Sequence, residues 1–118
     1  MEKILIVDDE PRIRALFHRQ LKEVGYKVVE TEDGEKALEL LKNNQDINLV
    51  ILDIVLPKTS GLDIFDVMRK DFPQIRIIIS SVYTPDEQEF MIWDADDYYS
   101  KSDSISMLVD KVNKLLRL

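Results

Sequence analysis

Cysteine is absent from the 118-residue chain, and there is one histidine, one tryptophan, three glycines and four prolines. Without cysteine there can be no disulfide and no thiolate metal site. The scarcity of glycine and proline leaves no linker or low-complexity segment, and no short-period repeat is visible. No apolar run approaches the length of a membrane span, and no basic-then-apolar leader precedes the first apolar stretch. Positive charge is also short: Lys and Arg total 16 against 23 Asp and Glu, so the net charge is −7. Phosphates would repel such a domain, which argues against direct nucleic-acid binding. Divalent cations and basic protein surfaces suit it better. A cytoplasmic location, with no membrane association, is the expectation.

What is present suffices for one core. Apolar residues make up 45% of the chain, too many for a disordered segment, and the length fits a single domain over residues 1–118. Two periods alternate along it. Apolar strands are expected at 3–9, 27–30, 48–54, 75–81 and 96–101. Helices are expected at 11–25, 33–44, 61–72, 85–93 and 104–118. Ile13, Leu16, Phe17, Leu21 and Val24 form one helical stripe, and Ile105, Leu108, Val109, Val112, Leu115 and Leu116 form another. Strand and helix repeated five times imply an α/β fold, a doubly wound parallel sheet with helices on both faces.

Against this frame "LVILDIVLP" (49–57) stands out. It reads as a strand buried on both faces, because it is short, aliphatic and does not alternate. Asp53 interrupts it, and burying an unpaired charge costs several kcal/mol at least. Other unusual polar residues fall at other strand ends: Asp8 and Asp9, Ser80 and Ser81, and Lys101. Ligands of open parallel sheets bind at the carboxyl ends of the strands. Carboxylates on neighbouring strands there would lie ~5 Å apart and repel by roughly 3 kcal/mol per pair at an effective dielectric of ~20. Such a cluster needs a cation, and hard oxygen ligands select Mg²⁺, Mn²⁺ or Ca²⁺. A phosphoryl group accounts for the rest. Aspartate can serve as the nucleophile, lysine binds a phosphoryl oxygen, and serine donates to another.

Taken together, "IVDDE" (6–10), "LVILDIVLPKTSGLD" (49–63), "IRIIISS" (75–81) and "ADDYYSK" (95–101) resemble the response-regulator receiver domain, over the whole chain. Each element alone is weak: Asp8–Asp9 could be a solvated strand end, Ser81 a simple strand terminus, Lys101 a surface lysine. Their order and placement make the combination specific. The resemblance implies a flavodoxin-like five-stranded sheet in the order 2-1-3-4-5 with five helices. It implies that Asp53 is the phospho-acceptor. Mg²⁺, with Mn²⁺ or Ca²⁺ able to substitute, would be held by Asp8, Asp9, Asp53 and the backbone carbonyl of Val55. Lys101 would contact the phosphoryl group. Ser81 and Tyr98 would be the switch residues of an output face made by the fourth helix, fifth strand and fifth helix. A histidine kinase or phosphotransfer protein would be the donor. The domain would promote only its own phosphorylation and dephosphorylation, act on an output partner or output domain, and could form a phosphorylation-dependent homodimer.

Three features depart from the family pattern. Lys101 precedes Ser102 instead of the usual proline, the segment from Ser81 to Lys101 is slightly short, and Asp94 stands where a glycine often falls. All touch the output side rather than the acid cluster. Val55 and Tyr83 occupy positions that tune dephosphorylation in this family, and apolar Val55 cannot orient an attacking water. Tyr98 and Tyr99 should face opposite sides of the sheet, so only one serves the switch. His18 lies off its helical stripe and reads as solvated; Trp93 reads as core or as a lone surface aromatic. Two rival readings are an aspartate-nucleophile phosphatase, which would want an acid at position 55, and a phosphorylation-independent interaction module.

Overall fold

The computed structural model describes residues 2–56, 58–82 and 94–117. Its elements run in chain order β1 (Lys3–Val7), α1 (Pro11–Val24), β2 (Lys27–Thr31), α2 (Gly34–Asn43), β3 (Ile47–Asp53), α3 (Gly61–Asp71), β4 (Arg76–Ser81), β5 (Asp97–Ser100) and α4 (Ile105–Leu116). The five strands form one sheet in the order β2-β1-β3-β4-β5, every neighbouring pair parallel. Four helices are described. The helix expected at 85–93 lies outside the described residues, as do Tyr83 and Trp93, so α4 corresponds to the expected closing helix.

The central strand explains its own composition. Leu49 and Ile51 face one apolar cluster with Phe17 and Leu21 of α1 and Leu108 and Val112 of α4. Val50 and Leu52 face the other, with Ala37 and Leu41 of α2 and Ile64, Phe65 and Met68 of α3. A strand covered on both faces has no polar side, hence the unbroken aliphatic run. Both expected helical stripes pack as read: their residues are buried or packed against the cluster shared by α1 and α4.

Local chemistry sets the helix ends. Pro11 opens α1, and Gly25 closes it in the left-handed region at φ 109°. The Asp33 carboxylate caps α2 by accepting from the backbone N–H of Glu35 and Lys36. Ser60 Oγ caps α3 by accepting from Leu62. β1 and β5 stop short of the ranges expected for them, by two residues and by one. β1 ends at Val7 and β5 at Ser100, which leaves Asp8, Asp9 and Lys101 just past the sheet edge.

Asp94 has φ 58°, the left-handed region that glycine enters freely and aspartate tolerates at a cost. That is the physical content of the glycine preference at this position. Asp94→Gly should therefore raise stability by about 0.5–1 kcal/mol. Urea unfolding with an unchanged m-value checks this, and a lower midpoint would contradict it. The Asp94 carbonyl itself accepts from Arg69 Nη2 at 3.3 Å, a contact the substitution preserves.

Candidate functional site

Three strand ends bring the site together. Asp8 follows β1, Asp53 ends β3, and Lys101 follows β5. Each of Asp8, Asp9 and Asp53 offers an oxygen within 4.8 Å of the others. Asp8 and Asp53 are buried, with 1% and 4% of their surface exposed, while Asp9 is exposed. The Lys101 ammonium joins the two buried acids, 2.7 Å from Asp8 Oδ2 and 3.1 Å from Asp53 Oδ2. Backbone donors take the remaining oxygens: Glu10 N donates to Asp8 Oδ1 at 2.9 Å and Val55 N to Asp53 Oδ1 at 3.0 Å. Asp53 is thus paired and oriented at the edge of the core, not stranded within it.

One ammonium against three carboxylates leaves a formal charge of −2. Burial pushes the Asp53 carboxyl above its ordinary value. The Val55 N–H and the Lys101 charge pull it down, the Asp8 charge pushes it up, and burial prevails. Burial works to lower Lys101, but the hydrogen bond and charge of Asp8, then those of Asp53, outweigh it and raise the ammonium. A cluster of hard oxygens with excess negative charge has the donor set for a divalent cation of the Mg²⁺ type.

Ser80 and Ser81 are both buried at the end of β4. Ser80 lies in register with Asp53, and Ser81, one residue nearer the edge, with Ser100. The Ser81 carbonyl accepts from Lys101 N at 2.8 Å, which locks the ends of β4 and β5 together. Tyr98 and Tyr99 divide between the two faces, as alternation requires. Tyr98 packs against the α2–α3 cluster and Tyr99 lies within the other, its ring edge-on to Phe17 at 5.8 Å.

No cis peptide occurs among the described residues, so Lys101–Ser102 is trans. Side chains hold the turn in proline's place. The Tyr99 hydroxyl lies 2.8 Å from the Asp103 carbonyl and 3.2 Å from that of Ser104. Ser100 Oγ meets Ser102 Oγ at 2.8 Å and accepts from the Ser102 N–H, a donor that proline lacks. Nothing in the local sequence announces the Tyr99 contact.

The loop after β3 is pinned by Gly61, whose N–H donates to the Ile54 carbonyl at 3.0 Å. A Cβ at Gly61 would overlap the Asp53 carbonyl and the Ile54 Cα. Backbone cannot swing aside as a flexible side chain can, so Gly61→Ala should cost about 1–3 kcal/mol and displace Val55 N from Asp53. Chemical denaturation, together with loss of the Val55 amide's hydrogen-exchange protection, reads out both effects. Unchanged stability would refute the close approach.

Two structural residues escaped the sequence reading. Asp96 accepts from Arg69 at 3.0 Å and from Ile77 N at 2.8 Å, which ties the segment before β5 to α3 and β4. Arg14 Nη1 donates to the Asp8 carbonyl at 2.6 Å. His18, expected to be solvated, lies 2.7 Å from a Glu30 oxygen through Nδ1. Pro57 lies outside the described residues.

A doubly wound sheet in the order 2-1-3-4-5, with clustered acids and a lysine at its carboxyl edge, defines a flavodoxin-like domain. The family model described as response regulator receiver domain matches residues 4–113, and this chain belongs to that family. It is 36% identical over 118 residues to a probable transcriptional regulator of Porphyridium aerugineum, covering 98% of this chain and 48% of that protein. It is also 36% identical to the response regulator SaeR of Staphylococcus aureus, covering 98% of this chain and 51% of that one. The chain thus spans about half the length of these curated relatives. Among solved structures it resembles the response regulator protein TrrA of Thermotoga maritima in complex with Mg²⁺–BeF. The TM-score is 0.89 and the identity 40%, covering 98% of this chain and 100% of that one. It similarly resembles TrrA in complex with the histidine kinase ThkA, with a TM-score of 0.88 and 40% identity over 98% and 99% of the two chains. This chain is a receiver domain of the two-component type. No described helix is long and apolar enough to cross a membrane.

Proposed function

We propose that residues 1–118 act as a single phospho-acceptor domain that takes a phosphoryl group from a phosphohistidine donor onto Asp53. The observation that carries this reading is the Lys101 ammonium bridging Asp8 and Asp53 at 2.7 and 3.1 Å. The donor is read as a histidine kinase or phosphotransfer protein. The likeness to a response regulator solved in complex with a histidine kinase supports this.

An Asp53 oxygen attacks phosphorus, the O–P bond forms as the N–P bond to the donor imidazole breaks, and the imidazole leaves with that electron pair. The Val55 N–H holds the other Asp53 oxygen and so fixes the carboxylate's direction. Mg²⁺ held by Asp8, Asp9, Asp53 and the Val55 carbonyl would supply positive charge beside the transferring phosphoryl oxygens; Mn²⁺ or Ca²⁺ could take its place. Lys101 exchanges its contact with Asp53 for a phosphoryl oxygen while Asp8 keeps hold of it. Ser81 closes on another phosphoryl oxygen. Tyr98 repacks in response and alters the face that β5 and α4 offer to an output partner, to an output domain or to a second copy of this chain.

The phosphatase alternative is disfavoured, because position 55 carries an apolar side chain, 67% exposed, where turnover would want an acid or base. The same residue predicts slow self-hydrolysis. In Mg²⁺ the phospho-form should persist for minutes or longer, and Val55→Asn should shorten it. A wild-type lifetime of seconds would contradict this. The reading as a whole is tested by adding beryllofluoride and Mg²⁺ and following backbone amide resonances. Val55, Ser81 and Lys101 should shift with Tyr98. A site that stays silent, with Tyr98 unmoved, would favour an interaction module that does not use phosphorylation.

A further inference from the structure

Asp8 is the first residue beyond β1. Its N–H still reaches the Thr31 carbonyl at 3.1 Å, but its own carbonyl has left the sheet. Arg14 Nη1 satisfies that carbonyl at 2.6 Å. The Arg14 side chain is 15% exposed, and its Nε lies 3.4 Å from one Glu30 oxygen. The other Glu30 oxygen lies 2.7 Å from His18 Nδ1. A chain of contacts therefore runs from the outer side of α1, across the edge strand β2, to the turn that carries the acids.

We propose that Arg14, clamped by Glu30, which His18 in turn holds, is a positioning residue for the divalent-cation site. It sets the direction in which the backbone carries Asp9 toward Asp8 and Asp53. The Asp8–Asp9 peptide is planar, so fixing the Asp8 carbonyl fixes the plane from which Asp9 departs. A hydrogen bond from a charged donor is among the stronger ones available for that purpose. Asp9 is the exposed member of the cluster, and the two buried acids are already held by Lys101. The inference rests on the reading of Asp8, Asp9 and Asp53 as cation ligands.

Charge makes the test decisive. Arg14 is cationic, so deleting it would tighten Mg²⁺ binding if only the electrostatic field mattered. Positioning gives the opposite sign. Mg²⁺ titrations of the full chain, followed by amide resonances, should show Arg14→Met binding about tenfold more weakly than wild type. Arg14→Met keeps the aliphatic stem packed, while Arg14→Lys, which restores a donor to the carbonyl, should recover most of the loss. Equal or tighter binding by folded Arg14→Met, with only its urea midpoint lowered, would reduce Arg14 to a structural bolt and overturn the inference. If Arg14→Met does not fold, Glu30→Gln decides, because it frees Arg14 from its clamp. It should weaken Mg²⁺ binding severalfold, and still do so at about 0.5 M salt, where the lost charge is screened; no weakening overturns the proposal. Wild type that binds no Mg²⁺ would instead overturn the cation-site reading, and this inference with it.

Discussion

Asp53→Asn should abolish phosphoryl acceptance, the largest effect expected of any single substitution here. The amide oxygen carries no formal charge and is a poor nucleophile, and Asp53 is the acid that both the Val55 N–H and Lys101 hold in place. Asp8 and Asp9 are not expected to substitute. In the proposed function both hold the cation beside the group that Asp53 carries, and Asp9 stands exposed at the rim. The same substitution should stabilise the cation-free protein. Burial raises the Asp53 pKa from 3.8, so the folded state holds this proton more tightly than the unfolded chain does. Ionised Asp53 therefore costs stability at neutral pH, and the cost fades as pH falls through the folded pKa toward the unfolded one. Urea unfolding in EDTA should show the Asn variant ahead at pH 7, with the gap closing toward pH 4. A gap that widened on acidification would reverse the assigned sign.

Lys101→Met should have the opposite effect on stability. The Lys101 side chain is 8% exposed and bridges two buried carboxylates. Removing it leaves both without their cation, and breaking a buried ion pair from one side costs about 3 kcal/mol or more. Coupling to the acids raises the lysine pKa from 10.5, so the contribution is fully present below that value and is lost only as pH rises through the raised one. Mg²⁺ should recover part of the loss, because it binds the folded cluster and neutralises the same charge. Urea midpoints for wild type and Lys101→Met, each with and without Mg²⁺, form the experiment. A loss below 1 kcal/mol in EDTA would mean that solvent already neutralises these acids and that Lys101 does not hold the cluster together.

The acid site was legible because its residues contradict their surroundings. Asp53 breaks an aliphatic strand, and Asp8–Asp9 and Lys101 close two others. Parallel topology then forces such strand ends onto one edge. The sheet and the helical stripes were legible for a similar reason: burial on one or both faces writes a period into the sequence. Element ends were less so, since β1 and β5 stop where polar residues leave the ladder, one or two positions short of the ranges expected for them. Contacts made by single side chains left no period to read. Arg69 with Asp96, Tyr99 with the carbonyls of Asp103 and Ser104, and Arg14 with the Asp8 carbonyl each join a side chain to a partner defined only by the fold. His18 shows the same limit: its position off the stripe places it outside the core but does not reveal Glu30 across on β2. Asp94 falls between the two cases. Its departure from the usual glycine was visible, and its positive φ supplies the reason.

With three carboxylates gathered within 4.8 Å, the central claim concerns which of them reacts. Treating the protein with acetyl phosphate and Mg²⁺, reducing the acyl phosphate with borohydride and sequencing the peptides by mass spectrometry locates the reacted residue. Reduction converts a phosphorylated aspartate to homoserine. Homoserine at position 53, absent without acetyl phosphate, is the predicted result. Homoserine at position 8 or 9, or none at all in folded wild-type protein, would contradict the account.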